Sequence, residues 1–216
     1  MSKPSWVVDT PRSEQSTTRA SDLLSFFLLP LIHPRAALTR LLAHDRRLGL
    51  SLLVFLFLGV VYTFSVQLAY SRGIGAQVEP FVTIPAAEYY FYQRFWQVPF
   101  FLLTSVLFSG VARLVAIPLA GQGRFEDVLC VSWVAQTLPM FLTMWLPETL
   151  MFVFLPGTPI RPLWLDVARQ VAGIAWAIVV MVMGVGQVER LYWPRSLVVV
   201  LAGAIPMTVL TVIFVR

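Results

Sequence analysis

From Leu48 to Tyr70 the chain runs for 23 residues without a charged side chain. At about 1.5 Å of rise per residue, this run makes a helix of about 34 Å, enough to cross the roughly 30 Å of hydrocarbon in a bilayer. Lipid offers no partner to backbone polar groups, so a segment of this kind must satisfy them within a helix. Four more apolar stretches follow, and the expected spans lie at about 48–70, 96–119, 128–154, 163–185 and 196–215.

The supply of polar residues agrees. Hydrophobic residues make up 58% of the chain and charged ones 12%, whereas soluble domains are roughly 45–50% apolar and about 25% charged. The expected fold class is an all-α membrane protein, a five-helix transmembrane bundle with an N-terminal in-plane amphipathic helix.

Residues 1–20 mix Ser, Thr, Pro and charge without apolar periodicity and read as a disordered cytoplasmic tail. Residues 21–47 read as an interfacial amphipathic segment. Its apolar part, Ser21 to Ile32, would reach only about 18 Å as a helix, too short to span. The polar tract ahead of it does not fit a cleavable secretory signal. After His33, Pro34 suits a first helical turn, Leu38, Leu41 and Leu42 share one face, and Arg35, Arg40, Arg46 and Arg47 supply the polar side. The lipid bilayer, with anionic headgroups against residues 21–47, is the expected partner. Residues 48–216 form the five-span domain.

Lys and Arg set orientation. The side holding the N-terminus receives Lys3, Arg12, Arg19, Arg35, Arg40, Arg46, Arg47, Arg113, Arg124, Arg190 and Arg195, whereas the other receives Arg72, Arg94, Arg161, Arg169 and Arg216. A multi-pass protein of the cell (inner) membrane is expected, its N-terminus cytoplasmic and its C-terminus on the opposite side. This placement accounts for the net charge of +5, and no nucleic-acid partner is expected.

Within the spans, Arg113 lies near the end of the second, from where its side chain can snorkel to water. The aromatic run Tyr89, Tyr90, Phe91, Tyr92, Phe95 and Trp96 resembles an interfacial belt. Pro139 and Pro147 interrupt the third span, and Pro139 frees the carbonyl of Ala135. Asp166 and Arg169 are spaced to pair on the fourth. Gly173 and Ala177 form a small-xxx-small pair suited to helix packing.

Catalytic sets are wanting. Cys130 is the only cysteine, and His33 and His44, the only histidines, precede the first span. No HExxH, no Ser and His pair within the spans and no pair of intramembrane Asp residues exists, so no enzyme, cofactor or metal is expected. Gly121-Gln122-Gly123-Arg124 lacks the further glycine and the GKS or GKT ending of a phosphate loop. It reads as a tight turn in which glycine takes the left-handed cap, followed by Glu126 and Asp127 at the positive start of the next helix. Beside Pro139, Gln136, Thr137 and Thr143 form a polar cluster at membrane depth that could line a pathway.

Several features in order carry a family resemblance. They are the apolar segment ending in Pro34, the I-P-A-A-E-Y-Y-F-Y loop with Tyr89 and Tyr90, and the turn G-Q-G-R-F-E-D with Gly121, Gly123, Phe125 and Asp127. Pro139 and the G-V-G-Q-V-E-R-L link that begins at Gly184 complete them. From residue 22 onward the chain resembles the prokaryotic branch of the Yip family, five-span proteins named for Ypt/Rab-interacting members. The resemblance implies a cytoplasmic N-terminus, no known catalytic activity, and a role through partners or bilayer shaping. Small GTPase binding is not carried over, because the acidic-Leu-Tyr-Gly-Pro motif of eukaryotic members has no counterpart in residues 1–47. The expected function is a non-enzymatic scaffold, accessory subunit or membrane-organising factor with a membrane-protein partner or a second copy of itself. The alternative is a small transporter, or the membrane subunit of one, with a pathway near Pro139.

Overall fold

A computed structural model describes residues 33–75, 84–154 and 163–214. The expected disordered tail and the apolar run ahead of His33 lie outside these residues, as do Arg161 and Arg216. The described residues fold into helices α1 (Pro34–Ala43), α2 (Arg47–Ser71), α3 (Tyr89–Ala116), α4 (Phe125–Met140), α5 (Leu146–Phe154), α6 (Leu163–Glu189) and α7 (Trp193–Phe214). Five helical stretches are long and apolar enough to cross a membrane: Arg47–Ser71, Tyr89–Leu119, Phe125–Phe154, Trp164–Glu189 and Trp193–Phe214. The chain is thus an all-α, multi-pass membrane protein.

The third stretch is continuous despite its prolines. A π-helical turn, Phe141–Trp145, joins α4 to α5. Pro139 sits inside α4 and cannot donate a hydrogen bond. The Thr143 hydroxyl donates to the Pro139 carbonyl at 2.9 Å and the Thr149 hydroxyl to that of Trp145 at 2.6 Å. Side-chain donors thus supplement the backbone where its helical pattern shifts, as a membrane setting requires.

This stretch is also the hub, the most enclosed of the five. Helix α4 packs on α6, α2 and α3, while α7 closes against α3 and α6. The core gathers Leu58, Phe108, Val128, Val131, Val134, Leu138, Val180, Val185 and Val199. Small residues permit the close approaches, as helix association in lipid demands. A Cβ on Gly184 of α6 would stand 2.3 Å from Val131 Cγ1 of α4, and one on Gly173 the same distance from the Thr143 hydroxyl oxygen. Gly173 and the buried Ala177 therefore face the bundle's own interior.

Helix α1 starts at Pro34 and directs Ala37, Leu38 and Leu41 into the bundle, chiefly onto α6. Its amphipathic pattern is satisfied by protein on the apolar side, leaving Arg35 and Arg40 exposed.

Candidate functional site

Helices α2, α4 and α7 begin, and α3 and α6 end, at the same end of the bundle as α1. There the chain makes two tight connections, 117–124 between α3 and α4 and 190–192 between α6 and α7. Glu189, the last residue of α6, turns inward and is fully buried. Its Oε2 lies 2.7 Å from Arg113 Nη1 and accepts the Gly123 N–H at 2.9 Å. The Glu189 carbonyl accepts the Gln122 N–H at 3.2 Å, and Arg113 also donates to the Gly121 carbonyl at 3.3 Å. One carboxylate thus ties the 117–124 turn to the ends of both α3 and α6.

The two glycines of this turn serve close approach. A Cβ on Gly121 would stand 2.5 Å from Glu189 Oε2 and 2.9 Å from the Ala116 carbonyl, and one on Gly123 would stand 2.5 Å from Val188 Cγ1. The left-handed cap expected of glycine is taken by Ala120, with φ 66°. Gly121 is reserved for the contact that any side chain would block. Arg113, expected to reach water, is instead ion-paired to Glu189 while keeping a quarter of its side chain exposed.

A second pair joins Arg47 at the start of α2 to Asp127 in the first turn of α4. With Glu189 and Asp127 engaged, the described carboxylates left exposed at this end are Asp45 and Glu126, against exposed Arg35, Arg40, Arg46, Arg124, Arg190 and Arg195. The opposite end is balanced among the described residues, Arg72, Arg94 and Arg169 against Glu88, Glu148 and Asp166. Arg169 pairs with Asp166, as their spacing suggested.

Pro34, Gly121, Gly123, Phe125, Asp127 and Gly184 all lie toward the basic end. Phe125 is exposed at the first position of α4, and Gly184 sits where α6 meets α4 and α1. Tyr89 and Tyr90 start α3 at the other end. Tyr89 is buried, and its hydroxyl donates to the Phe214 carbonyl at 3.0 Å. Pro139 lies between.

Gln136, Thr137 and Thr143 meet different neighbours. The Gln136 amide lies between Ser105 at 3.0 Å and the Met207 sulfur at 3.1 Å. The Thr137 hydroxyl bonds its own helix at Trp133, and Thr143 abuts Gly173. Nothing in the sequence motifs singles out the buried amides Gln93 and Gln97 of α3. They face Tyr62 and Thr63 of α2, with Gln97 Nε2 donating to the Thr63 oxygen at 3.1 Å. Two glutamines four residues apart in an apolar helix were the available signal.

Among the described residues no group of three or more His, Cys, Asp or Glu side chains is placed to hold a metal ion. No family model, curated protein or solved structure matches this chain.

Proposed function

We propose that this protein is a non-enzymatic membrane-organising scaffold or accessory subunit of Yip-like type. Its basic end and N-terminus face the cytoplasm of the cell (inner) membrane, and its C-terminus lies on the opposite side. The observation that carries the reading is the charge division just described: arginines exposed at one end while two of its carboxylates are drawn into ion pairs. Such an end attracts anionic headgroups and acidic partner surfaces and satisfies the positive-inside rule. The closely packed helices, tied by buried side-chain contacts, suit a rigid platform.

Purification of the full chain in mild detergent, followed by reconstitution into phosphatidylglycerol-containing vesicles, tests this. A reproducible membrane-protein partner or a change in vesicle shape is expected. A chain that emerges alone and leaves the vesicles unaltered removes the proposal.

The π-helical turn favours a second reading, transport, because such turns recur at functional sites and broken helices expose backbone to solutes. Under it, Gln136→Ala and Pro139→Ala would each change solute flux in liposomes. Under the scaffold reading, flux in both variants equals that of empty liposomes.

A further inference from the structure

We infer that Arg190 and Arg195 form a binding site for the phosphate group of an anionic phospholipid, at the α6–α7 turn. The inference rests on the basic end facing a lipid headgroup layer, and it names a particular ligand chemistry there.

The turn and the start of α7 together present these two side chains. Arg190 adopts φ 55°, a left-handed conformation that non-glycine residues seldom take. It is held there by the Leu191 N–H donating to the Gly186 carbonyl at 3.1 Å. The Ser196 N–H closes the following turn on the Tyr192 carbonyl at 3.0 Å, and the Ser196 hydroxyl lies within 3.3 Å of the Leu191 carbonyl. Both arginines then reach across to the same neighbouring turn. Arg190 Nη1 stands 3.3 Å from Gln122 Oε1 and Arg195 Nη1 stands 3.5 Å from the Leu119 carbonyl. These acceptors are neutral and the contacts long, so they steer the guanidinium groups without cancelling their charge.

The nearest carboxylate in sequence is withdrawn. Glu189 adjoins Arg190, yet its side chain points inward and is matched by Arg113. Asp127 is matched by Arg47, which leaves Glu126, on α4, as the exposed acid of that turn region, beside exposed Arg124. Two arginines steered to one place, Arg190 from the turn and Arg195 from the first turn of α7, offer planar donor forks that suit phosphate oxygens.

Depth is supplied by the aromatic residues between them. Tyr192 is 82% exposed and Trp193 71% exposed, and such amphipathic rings settle at the headgroup level of a bilayer. The arginines on either side of them therefore lie where lipid phosphates lie, and a lipid is the occupant to which the site is matched.

The test uses the full chain in mild detergent, with retention of added phosphatidylglycerol or phosphatidylcholine followed by native mass spectrometry. Phosphatidylglycerol is expected to be retained selectively. The Arg190→Gln/Arg195→Gln variant should bind it about tenfold more weakly, the effect of losing charge-assisted phosphate contacts. An Arg35→Gln/Arg40→Gln control should change it far less. Unchanged retention in the first variant, or an equal loss in the control, would overturn the site in favour of diffuse charge. Competition by inorganic phosphate at the lipid's own concentration would also overturn it, marking a soluble-anion site. Should the glutamine variant unfold, Arg190→Lys/Arg195→Lys keeps the charge and removes the fork. Weaker retention than wild type supports the site, and equal retention contradicts it. If retention depends on these arginines while no partner or vesicle change is found, the scaffold reading falls and the lipid site stands.

Discussion

Replacing Arg113 by alanine is expected to lower the unfolding free energy by about 3–5 kcal/mol, the range for removing one partner of a buried ion pair. Glu189 has no accessible side-chain surface, and its Oε1 makes no hydrogen bond. Without Arg113, its charge would keep the Gly123 N–H as its one side-chain partner at a depth water does not reach. The reverse change costs less. Glu189→Gln keeps an acceptor for Gly123 and removes the buried charge, while Arg113, a quarter exposed, extends to water. About 1–2 kcal/mol is expected there. An Arg113→Ala/Glu189→Gln double variant should recover much of the loss of Arg113→Ala, because it leaves no buried charge while Gly123 keeps an acceptor. Denaturant unfolding of all four proteins in the same mixed micelles checks this. Equal costs for the two single variants, or additive costs in the double, would show that the pair does not hold the two turns together.

The second large effect concerns the meeting of α4 and α6. Gly184→Ala should destabilise by about 1–3 kcal/mol, because overfilling a packed interior forces neighbours off their rotamers. The new Cβ would lie 2.3 Å from Val131 Cγ1 and 3.2 Å from Leu38 Cδ1, both on fully buried side chains. A valine on a helix has one strongly preferred rotamer, so Val131 cannot swing aside. The gain in helix propensity from Gly to Ala, about 0.5–1 kcal/mol, offsets only part of this. Adding Val131→Ala should restore at least half of the lost stability. A neutral Gly184→Ala, measured by thermal unfolding in detergent, would mean that the two helices do not approach this closely.

These two sites also show how far the residues alone can be read. The spans are legible because a long uncharged stretch has few other fates in lipid, and the helices found cover the apolar stretches that mark them, except Val215, which lies outside the described residues. Helix α3 begins seven residues ahead of Trp96, at Tyr89, since an aromatic run looks alike as interfacial belt or as first helical turns. Gly184 could be marked by its place in a pattern. Its reason, contact with a valine 53 positions earlier, could not be seen, because nothing local fixes which helices adjoin.

Glu189 is hidden for the same cause. In sequence it is one acid in a basic link, and its partner Arg113 lies 76 residues away. The helices, rather than the expected spans, bring both residues into a last turn: α3 ends at Ala116 and α6 at Glu189, whereas the apolar stretches in the sequence end at 119 and 185. Backbone freedom suggests Gly121 as a turn former, whereas the turn needs it for its missing side chain.

The proposed function depends on the basic end lying in the cytoplasm and the balanced end outside, which cysteine accessibility reads directly. In a Cys130→Ala background, Gln122→Cys marks the basic end and Arg72→Cys the other, both at exposed positions. With intact cells and a membrane-impermeant maleimide, Arg72→Cys should be labelled at once and Gln122→Cys only after permeabilisation. Labelling of Gln122→Cys in intact cells, or of both positions from one side, would contradict the account.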